Sequence, residues 1–412
     1  MTVINPIITP ITACRVCSSK DIDLVLELGN QPLSGVFPSA DQLDPLKGPL
    51  TIFKCNKCSL VQLAHNYPLD LLYGENYGYR SGLNASMTSH LQLKARKLNQ
   101  LLSLNPGEIV LDIGSNDGTF LNAWDSEITR IGFDPTITKF GEFYDSKVIK
   151  VPDFFSSELY LASFKPAKLI TSISMFYDLQ DPLAFVEDIK KCLAADGLWH
   201  FEQSYLHSMI QSTSYDTICH EHLEYYSLQA VSNLLAICGL RVVDIELNSI
   251  NGGSFSVTAT HQDNHVLASP LVAWLNRYEK SLEALAPLVS FAARVKSHKE
   301  QFLDLLGSLN QSGATVWGLG ASTKGNVLLN YCGVDSTLIQ KIADVNPFKS
   351  GRFTPGSRIE IVPESEFSTN KPDFAVVLPW HFRNHISQKH ANYMAEGGKL
   401  IFPFPSIEVV SD

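Results

Sequence analysis

The sequence predicts an α/β protein in three parts: an N-terminal zinc-binding unit followed by two Rossmann-like units. Three observations support this fold class. Two Cys-x-x-Cys pairs lie near the N-terminus, and a glycine-containing loop follows an apolar strand at residues 110–118. A second glycine-containing loop follows another apolar strand at residues 314–326. Strand, loop and helix in this order are typical of doubly wound parallel sheets.

The composition is that of a globular protein with more than one core. The chain has 412 residues, 45% hydrophobic and 18% charged, so two or three domains are expected and disorder is not. The net charge of −10 argues against nucleic acid as the main ligand, since phosphate backbones require clustered Lys and Arg. No apolar run reaches the roughly 18 residues of a membrane-spanning helix, and the N-terminus lacks a basic leader region. We therefore expect a cytoplasmic protein without a membrane partner.

The N-terminal unit, predicted over residues 1–82, is rich in turn-forming residues and in short β runs such as residues 50–54. So small a unit needs a cross-link, and two Cys-x-x-Cys turns aim four thiolates at one point. Four sulfur ligands leave no open coordination position, so we expect structural zinc rather than a catalytic metal or redox thiols. The predicted ligands are Cys14, Cys17, Cys55 and Cys58.

The central unit, predicted over residues 83–265, alternates helical and strand patterns. Helices are expected at residues 85–104 and 182–193. The predicted strands are residues 108–113, 130–134, 168–173 and 198–202. This alternation is the pattern of a parallel sheet with helices on both faces.

The loop after the first central strand predicts a binding site for S-adenosylmethionine. Residues 111–118 read Leu-Asp-Ile-Gly-Ser-Asn-Asp-Gly, which lacks the Gly-x-Gly-x-x-Gly spacing of dinucleotide folds and places an acid inside the strand. Asp134 ends the next strand, where a carboxylate can bind ribose hydroxyls; a plain turn residue is the alternative. Asp153 and Phe154 resemble the acidic and aromatic pair that holds adenine in such enzymes. The predicted cofactor residues are Asp112, Gly114, Ser115, Asn116, Asp117, Gly118, Asp134, Asp153 and Phe154.

Residues 215–227 form the densest polar and aromatic cluster in the chain, and they include His220-Glu221-His222. A His-x-His pair can bind metal, but no third ligand with suitable spacing stands out. We favour one histidine as a general base, with its neighbours orienting it or donating to substrate. Upstream, residues 73–81 carry three tyrosines and Arg80 at the exit of the zinc unit. This segment is expected either to cover the active site or to pack between domains.

The third unit, predicted over residues 266–412, begins with a long helical stretch at about 267–309. Its predicted strands are residues 314–320, 339–345, 374–378 and 399–403. The loop after the first of these strands leads into a helix, whose N-terminal N–H groups would bind an anion beside Lys324. The loop lacks P-loop spacing, so it suits a diphosphate held without hydrolysis; a tight structural turn is the alternative. The predicted contacts are Gly320, Ser322, Lys324 and Asn326.

The order of these four motifs resembles that of the sugar C-methyltransferases, whose best-studied members act on dTDP-linked 4-keto-deoxysugars. The motifs are the four cysteines, Asp-Ile-Gly-Ser-Asn-Asp-Gly, His-Glu-His and Gly-x-Gly-Ala-Ser-x-Lys-Gly-Asn, and they cover essentially the whole chain. The resemblance implies a zinc domain, a central class I S-adenosylmethionine methyltransferase domain and a C-terminal Rossmann-like domain that helps bind a nucleotide-linked sugar. It also implies an enolate mechanism, in which a base removes the proton beside the keto group and the enolate attacks the methyl sulfonium.

The resemblance also implies residue roles. His222 matches the family's base and Glu221 a functional glutamate, while Tyr79 aligns with a catalytic tyrosine that Tyr77 is close enough to confuse. The predicted catalytic residues are therefore His222, Glu221, Tyr79 and His220, and the remaining predicted substrate contacts are Tyr77, Arg80 and Tyr177.

This chain departs from the family pattern at two places. Cys219 stands where the family has a tyrosine, and Met175-Phe-Tyr-Asp178 stands where the family has a histidine. Tyr177 or Tyr215 would then replace the lost hydrogen-bond donor. These departures leave the sugar and the acceptor carbon open.

Three functions remain open from the sequence. The first is C-methylation of a nucleotide-linked keto-deoxysugar. The second is O- or N-methylation of another anionic, nucleotide-linked substrate, which the two departures would permit. The third is a non-catalytic nucleotide-sugar sensor, and an NAD-linked oxidoreductase fits the glycine loops less well still. In each case we expect a monomer or a small homo-oligomer.

Overall fold

The computed structural model describes residues 8–68, 71–72, 79–125, 127–283 and 286–411. The strands in these ranges are β1 (Thr9–Pro10), β2 (Ile22–Pro32), β3 (Lys47–Cys55), β4 (Val61–Leu63), β5 (His65–Asn66), β6 (Ile109–Ile113), β7 (Thr129–Phe133), β8 (Ile149–Val151), β9 (Ala167–Ile173), β10 (Leu193–Ser204), β11 (Glu224–Tyr225), β12 (Leu240–Asn248), β13 (Ser254–His261), β14 (Val316–Leu319), β15 (Lys341–Asp344), β16 (Glu360–Pro363), β17 (Phe374–Val377), β18 (Lys399–Phe402) and β19 (Glu408–Val410).

The α-helices of the same ranges are α1 (Ala85–Leu102), α2 (Ile137–Phe140), α3 (Ser157–Leu161), α4 (Pro182–Cys192), α5 (Leu206–Gln211), α6 (Leu228–Ile237), α7 (Pro270–Glu283), α8 (Pro287–Gln311), α9 (Thr323–Cys332), α10 (Glu364–Asn370), α11 (Arg383–Lys389) and α12 (Ala391–Ala395). Side-chain caps fix several starts: Asn84 accepts from two N–H groups of α1, and Asp181 accepts from Ala184 ahead of α4. None of the described helices is long and apolar enough to cross a membrane.

The N-terminal unit is a small antiparallel sheet in the order β11-β4-β3-β2. Its fourth strand, Glu224–Tyr225, comes from the polar segment of the central unit and pairs antiparallel with β4, Glu224 opposite Gln62 and Tyr225 opposite Val61. The backbone N–H of Leu63 also donates to the Leu223 carbonyl at 2.8 Å. The sheet of the zinc unit therefore holds the segment that contains His222.

The central sheet has the order β12-β13-β10-β9-β6-β7-β8. Strands β6 to β10 pair in parallel with their neighbours, whereas β13 is antiparallel to both β10 and β12. The carboxyl ends of the parallel strands therefore lie along one edge, where β6 and β7 deliver the loop at residues 114–118 and Asp134.

The C-terminal sheet has the order β16-β15-β14-β17-β18-β19, parallel except for β19. The order reverses between β14 and β17. The loops that follow these two strands, at residues 320–322 and 378–381, consequently form the crevice in which ligands of open α/β sheets bind.

The predicted α/β pattern is confirmed. The strands predicted in both Rossmann-like units end within two residues of those observed, except that β10 already begins at Leu193. The predicted helical stretch at 267–309 is two helices, and the second starts with Pro287 at its first turn. Proline is favoured there because it needs no N–H partner at a helix start.

The buried core continues across the parts. One cluster joins Leu50 and Ile52 of the zinc unit to Val316 and Ile342 of the C-terminal sheet. The helix α7 packs on the central unit, because the Glu279 carboxylate accepts from the Tyr205 hydroxyl at 2.8 Å and from the Leu228 N–H at 2.7 Å. The boundary placed at 265/266 stays a prediction.

Candidate active site and zinc centre

The four predicted zinc ligands come together. One ligand atom of each cysteine lies within 4.8 Å of those of the other three. The sulfurs pair at 3.5 Å, Cys14 with Cys58 and Cys17 with Cys55. In each Cys-x-x-Cys turn, the N–H of the residue after the second cysteine donates to the carbonyl of the first. These bonds run from Ser18 to Cys14 and from Ser59 to Cys55, both at 3.0 Å. This all-sulfur set fits a structural zinc ion with no open position.

Arg15 links the zinc turn to the polar segment. Its guanidinium donates to the carbonyl oxygen of Leu63 at 2.5 Å and to that of His65 at 3.1 Å, and its Nε lies 3.7 Å from Glu224 Oε1. Both side chains of this ion pair are almost fully buried. The pair joins the zinc turn to β11, two residues after His222.

The loop after β6 has the backbone that its glycines predict. Gly114 and Gly118 adopt φ of 73° and 74°. A Cβ on Gly118 would lie 2.7 Å from the Tyr144 ring, and one on Gly114 would lie 2.9 Å from Met175 Cγ. Ser115 Oγ lies 2.8 Å from the Tyr144 hydroxyl, which donates to the Asn116 carbonyl at 2.9 Å. Tyr144 therefore packs against the loop and stabilises it through these hydrogen bonds.

Two buried carboxylates lie at the ends of adjacent strands beside this loop. Asp134 Oδ1 accepts from both the N–H and the hydroxyl of Thr136, at 2.7 and 2.6 Å, whereas Oδ2 accepts only from the Asn116 N–H at 2.8 Å and keeps a lone pair for a ribose hydroxyl. Asp112 accepts from the Thr171 hydroxyl at 2.6 Å, and burial raises the pKa of its carboxyl to about 7. These groups fit the nucleoside and amino-acid ends of S-adenosylmethionine.

The segment before α1 packs over the same loop. The Ser81 N–H donates to Asn116 Oδ1 and the Gly82 N–H to Asp117 Oδ2, each at 2.9 Å. Asn116 Nδ2 donates in turn to the Tyr79 carbonyl at 3.2 Å. Tyr79 is half exposed, while Arg80 lies with its guanidinium 3.8 Å from the centre of the Phe143 ring. Tyr77 and Tyr73 lie outside the described residues.

Asp153 and Phe154 follow β8 at the same edge of the sheet. Both are exposed, and the Asp153 carboxylate accepts from the Phe154 N–H at 2.7 Å. Their position, beyond the strand next to β7, is compatible with the adenine contact predicted for them.

His222 is partly buried among polar groups and the Tyr177 ring. Its Nδ1 is 2.8 Å from the Thr217 carbonyl oxygen, so this nitrogen carries the proton and Nε2 keeps its lone pair. The Tyr177 ring meets the imidazole edge-on, with centroids 4.4 Å apart. Burial and, to a smaller extent, the charge of Lys324 lower the pKa of His222 to about 4. The ring is therefore neutral at pH 7.

Glu221 points toward the zinc unit. Ser34 Oγ donates to Glu221 Oε2 at 3.4 Å, and a Cβ on Gly35 would lie 2.9 Å from Oε1. The Cys219 thiol donates to the same carboxylate, and burial raises the pKa of Glu221. The cysteine that departs from the family pattern is thus a hydrogen-bond donor to Glu221.

His220, which was predicted to be catalytic, packs inside the zinc unit. The ring is fully buried inside the zinc unit, where Nε2 lies 3.3 Å from the Gly48 carbonyl oxygen and the Tyr67 ring packs edge-on at 4.8 Å. The catalytic role of His220 stays a prediction.

Lys324 of the C-terminal unit contacts the central unit and acts electrostatically on His222. Its Nζ donates to the Asn251 carbonyl at 2.7 Å, and its charge acts on His222, on His381 and on the fully buried Asp216. Asp216 Oδ2 accepts from the Trp380 Nε1–H at 2.8 Å. Lys324 therefore lies where two units meet, close enough to His222 for its charge to lower the pKa of the imidazole; burial in turn lowers the pKa of Lys324, and Asp216 opposes that shift.

The other predicted residues of the C-terminal loop have protein partners. Gly320 adopts a φ of 79° and packs against Pro379, while Ser322 caps α9 by accepting from the Gly325 N–H at 3.0 Å. Asn326 is fully buried, and its Nδ2 donates to the Ser34 carbonyl at 2.7 Å. These contacts support the turn and its packing on the zinc unit, whereas their predicted contact with phosphate stays a prediction.

The sequence reasoning missed Asp216, Trp380 and His381. Trp380 and His381 follow the predicted strand at 374–378, and this position at the carboxyl end of a strand could have marked them as site residues. Asp216 lies inside the polar segment, but its partner Trp380 is distant in sequence and no local pattern connects the two.

Comparison with known proteins agrees with the motif order. Family models match a zinc binding domain at residues 14–73, a methyltransferase domain at residues 87–245 and a C-methyltransferase C-terminal domain at residues 249–405. The C-methyltransferase NovU of Streptomyces niveus is 30% identical over 413 residues, which cover 98% of this chain and 98% of NovU.

Two solved structures of methyltransferases match part of the chain. The N-methyltransferase NodS of Bradyrhizobium japonicum WM9 is 14% identical with a TM-score of 0.34, and the match covers 44% of this chain and 99% of NodS. The plantazolicin methyltransferase BpumL is 12% identical with a TM-score of 0.35, covering 44% of this chain and 87% of BpumL.

Proposed function

Because this chain belongs to the zinc-containing, S-adenosylmethionine-dependent C-methyltransferase family, we propose that it methylates a carbon of a nucleotide-linked keto-deoxysugar through an enolate. The observation that carries the proposal is the partly buried, neutral His222, whose pKa is lowered by burial and by the charge of Lys324. A base next to a fixed positive charge is the arrangement that proton abstraction beside a carbonyl requires.

His222 is the proposed base. The Thr217 carbonyl fixes its Nδ1–H, so Nε2 is the atom that accepts the proton from the carbon next to the keto group. Because its pKa is about 4, the imidazole needs no deprotonation before it reacts at neutral pH. The edge-on Tyr177 ring keeps the imidazole from turning away.

Lys324 is proposed to stabilise the enolate oxygen. Negative charge moves from the carbon to the carbonyl oxygen as the proton leaves, and a buried ammonium group stabilises it more than an exposed one would. Asp216 compensates this cation in the resting protein. Tyr79, half exposed on the segment above the donor loop, is a second candidate donor to the oxygen.

The methyl group comes from S-adenosylmethionine, whose sulfonium supplies an electrophilic carbon. In this proposal Asp134 binds the ribose hydroxyls, the loop at residues 114–118 lies against the amino-acid end, and Asp153 and Phe154 meet the adenine. The cofactor and the acceptor would then meet between the central sheet edge and the polar segment, where water is excluded.

The O- or N-methylation alternative has less support. The departures at Cys219 and Tyr177 motivated it, yet the Cys219 thiol donates to Glu221 and Tyr177 packs on His222, so both departures fit within a base-containing site. A hydroxyl or amine acceptor also has less need of a base beside a cation.

The test is methyl transfer to a panel of nucleoside-diphosphate 4-keto-deoxysugars, read by mass spectrometry. We expect a product heavier by one methyl group for at least one sugar. With S-adenosylmethionine omitted and the solvent replaced by D₂O, we expect deuterium to enter the carbon beside the keto group. Methylation of oxygen or nitrogen, or no methylation across the panel despite cofactor binding, would refute the proposal.

A further inference from the structure

A single 3₁₀ turn, Tyr215–Thr217, determines which nitrogen of His222 carries the proton. The carbonyl oxygen of Thr217 lies 2.8 Å from His222 Nδ1 and holds the proton on that nitrogen. In free histidine the proton prefers Nε2, so the tautomer that leaves Nε2 free to act as a base depends on this carbonyl. The position of the turn therefore controls whether the imidazole can accept a proton from a substrate.

The C-terminal unit holds this turn in place. The Asp216 carboxylate accepts from the Trp380 Nε1–H at 2.8 Å. His298 Nε2 donates to the Pro403 carbonyl at 2.7 Å, so its Nδ1 accepts from the Tyr215 hydroxyl at 3.1 Å. Tyr215 and Asp216 are both buried, so water does not compete for these hydrogen bonds. The two residues that precede the orienting carbonyl are thus fixed by a different unit from the one to which they belong.

The indole ring of Trp380 also supports the backbone that binds Lys324. A Cβ on Gly252 would lie 2.9 Å from both Cζ2 and Cη2 of the ring, so the ring and this backbone meet only where there is no side chain. The preceding residue, Asn251, has a left-handed φ of 54°, and its carbonyl accepts from Lys324 Nζ at 2.7 Å. The ring therefore packs against the turn whose carbonyl holds the ammonium group.

Both ends of that second turn are bound to the central sheet. Asn248, which precedes the turn, donates through Nδ2 to the buried Glu202 carboxylate at 2.7 Å. The Gly253 carbonyl at its other end accepts from the Tyr205 N–H at 3.0 Å. A change in the Trp380 ring is therefore expected to move the backbone between these two anchors without displacing the sheet.

From these contacts we propose that Trp380 is a positioning residue for the methyl transfer. Its indole N–H maintains the Nδ1–H tautomer of His222 through Asp216. Its ring maintains the position of Lys324 through the backbone at Asn251. One side chain of the C-terminal unit thereby aligns the base with the cation. The chemical roles of His222 and Lys324 rest on the proposed function, whereas their alignment by Trp380 can be measured without a substrate.

The test is NMR of the ring nitrogens in the zinc-loaded, full-length protein made with isotope-labelled histidine. The His222 signals are assigned by their loss in His222→Gln. We expect the Nδ1–H tautomer in the wild type and a clearly larger share of Nε2–H in Trp380→Phe, which lacks the indole N–H. Trp317→Phe is the matched control, because Trp317 is 7% exposed against 8% for Trp380 but packs on Phe367. Its His222 signals should equal those of the wild type.

Variants of Asp216 keep the test informative if Trp380→Phe folds poorly. Asp216→Asn retains an accepting oxygen and should keep the wild-type tautomer, whereas Asp216→Leu should lose it. Adding Trp380→Phe to Asp216→Leu should change the tautomer no further, because both substitutions remove the same hydrogen bond. Unchanged zinc content and affinity for S-adenosylmethionine identify the variants that are folded.

The contact of the ring with the second turn has its own pair of variants. Gly252→Ala places a methyl group against the indole and should raise the pKa of His222, because Lys324 loses the carbonyl that holds its charge in place. Gly397→Ala is the control: Gly397 has a φ of 100°, beside 90° for Gly252, but a Cβ there would have nothing within 4 Å. The pKa of His222 should be unchanged in that protein.

Kinetics separate this inference from the proposed function. With an acceptor that is methylated, we expect Trp380→Phe to lower kcat by roughly 10- to 100-fold at an unchanged KM for S-adenosylmethionine, as for a catalytic group that is slightly misplaced. The inference is overturned if Trp380→Phe keeps the wild-type tautomer and kcat, or if Trp317→Phe alters both to the same extent. A tautomer that depends on Trp380 in a protein without methyl transfer would overturn only the proposed function.

Discussion

At the scale of single residues, the protonation state of His222 depends on two things: the burial of the ring and the charge of Lys324. Both favour the neutral ring, and the Thr217 carbonyl selects which nitrogen carries the proton. A histidine with these neighbours is in its base form throughout the neutral pH range, but a pKa of about 4 makes it only a moderately strong base. The positive charge that disfavours its protonation is the same charge proposed to stabilise the enolate.

Replacing His222 should separate chemistry from binding. We expect His222→Gln to lower kcat by roughly 10²–10⁴-fold, as for a lost general base, with the affinity for S-adenosylmethionine unchanged. His385→Gln, at an exposed histidine of α11, is the control and should keep wild-type kcat. Steady-state kinetics and calorimetry measure the two quantities. A His222→Gln protein with wild-type kcat would exclude this residue as the base.

The depressed pKa of His222 has a consequence for the pH profile. A histidine with an ordinary pKa near 6.5 would lose half of its base form at that pH. With a pKa of about 4, His222 stays neutral, so we expect kcat/KM to be level from pH 8 to pH 5 and to fall only as the pH approaches 4. Lys324→Met removes the nearby charge and should move the acidic limb toward neutral pH. An acidic limb centred near 6.5 in the wild type would contradict this placement.

At the scale of elements, the polar segment is held by the zinc unit rather than by the sheet it follows. Its strand β11 completes the sheet of β2 to β4, and the Arg15–Glu224 pair joins it to the first zinc turn. Burial raises the pKa of Glu224, whereas the neighbouring Arg15 lowers it. The position of His222 therefore depends on an ion pair that water does not reach.

Replacing one partner of this ion pair should lower the free energy of unfolding more than replacing both. Arg15→Met leaves Glu224 buried without its cation, and we expect a loss of about 3–5 kcal/mol in the free energy of unfolding. The double variant Arg15→Met/Glu224→Leu should recover much of that loss, since neither charge is then buried alone. Chemical denaturation of both proteins measures the difference. Equal losses in the single and double variants would show that the pair itself does not stabilise the fold.

Elements with a strong local signal were predictable, and those built from distant parts were not. The parallel strands could be located because each is an apolar run bounded by turn residues, as in Ile109–Ile113. The two-residue strand β11 could not, since its partner β4 is far away in sequence. The enclosure of the His220 ring by Gly48 and Tyr67 could not be predicted either, because both partners are distant in sequence.

At the scale of the whole molecule, the three parts share contacts that tie their stabilities together. The zinc unit packs on the C-terminal sheet through the core that contains Leu50 and Val316. Arg358 adds hydrogen bonds to the carbonyl oxygens of Ser39, Ala40 and Gln42. The sequence correctly predicted that the four cysteines lie close together. It did not predict how extensively the zinc unit packs on the C-terminal unit.

Loss of zinc should consequently affect the entire protein. We expect Cys58→Ser, or chelation of the metal, to lower the midpoint of a single unfolding transition and to abolish methyl transfer, because the β11 segment loses its support. Cys238→Ser removes a buried thiol outside the cluster and should leave zinc content and activity unchanged. Calorimetry with metal analysis tests this. Two separate transitions, with only the smaller one sensitive to zinc, would mean that the units unfold independently.

The pairing of β4 with Glu224–Tyr225 also sets an order for events during synthesis. The cysteines and strands β2 to β4 leave the ribosome long before the strand that completes their sheet. Until Tyr225 has emerged, β4 presents an open edge with unpaired backbone groups, which is the kind of surface that recruits foreign strands. The N-terminal part can bind zinc early, but it reaches its final form only when the central unit is nearly complete. A ribosome stalled before that point would carry a nascent chain prone to aggregation, and this chain should be an early client of chaperones.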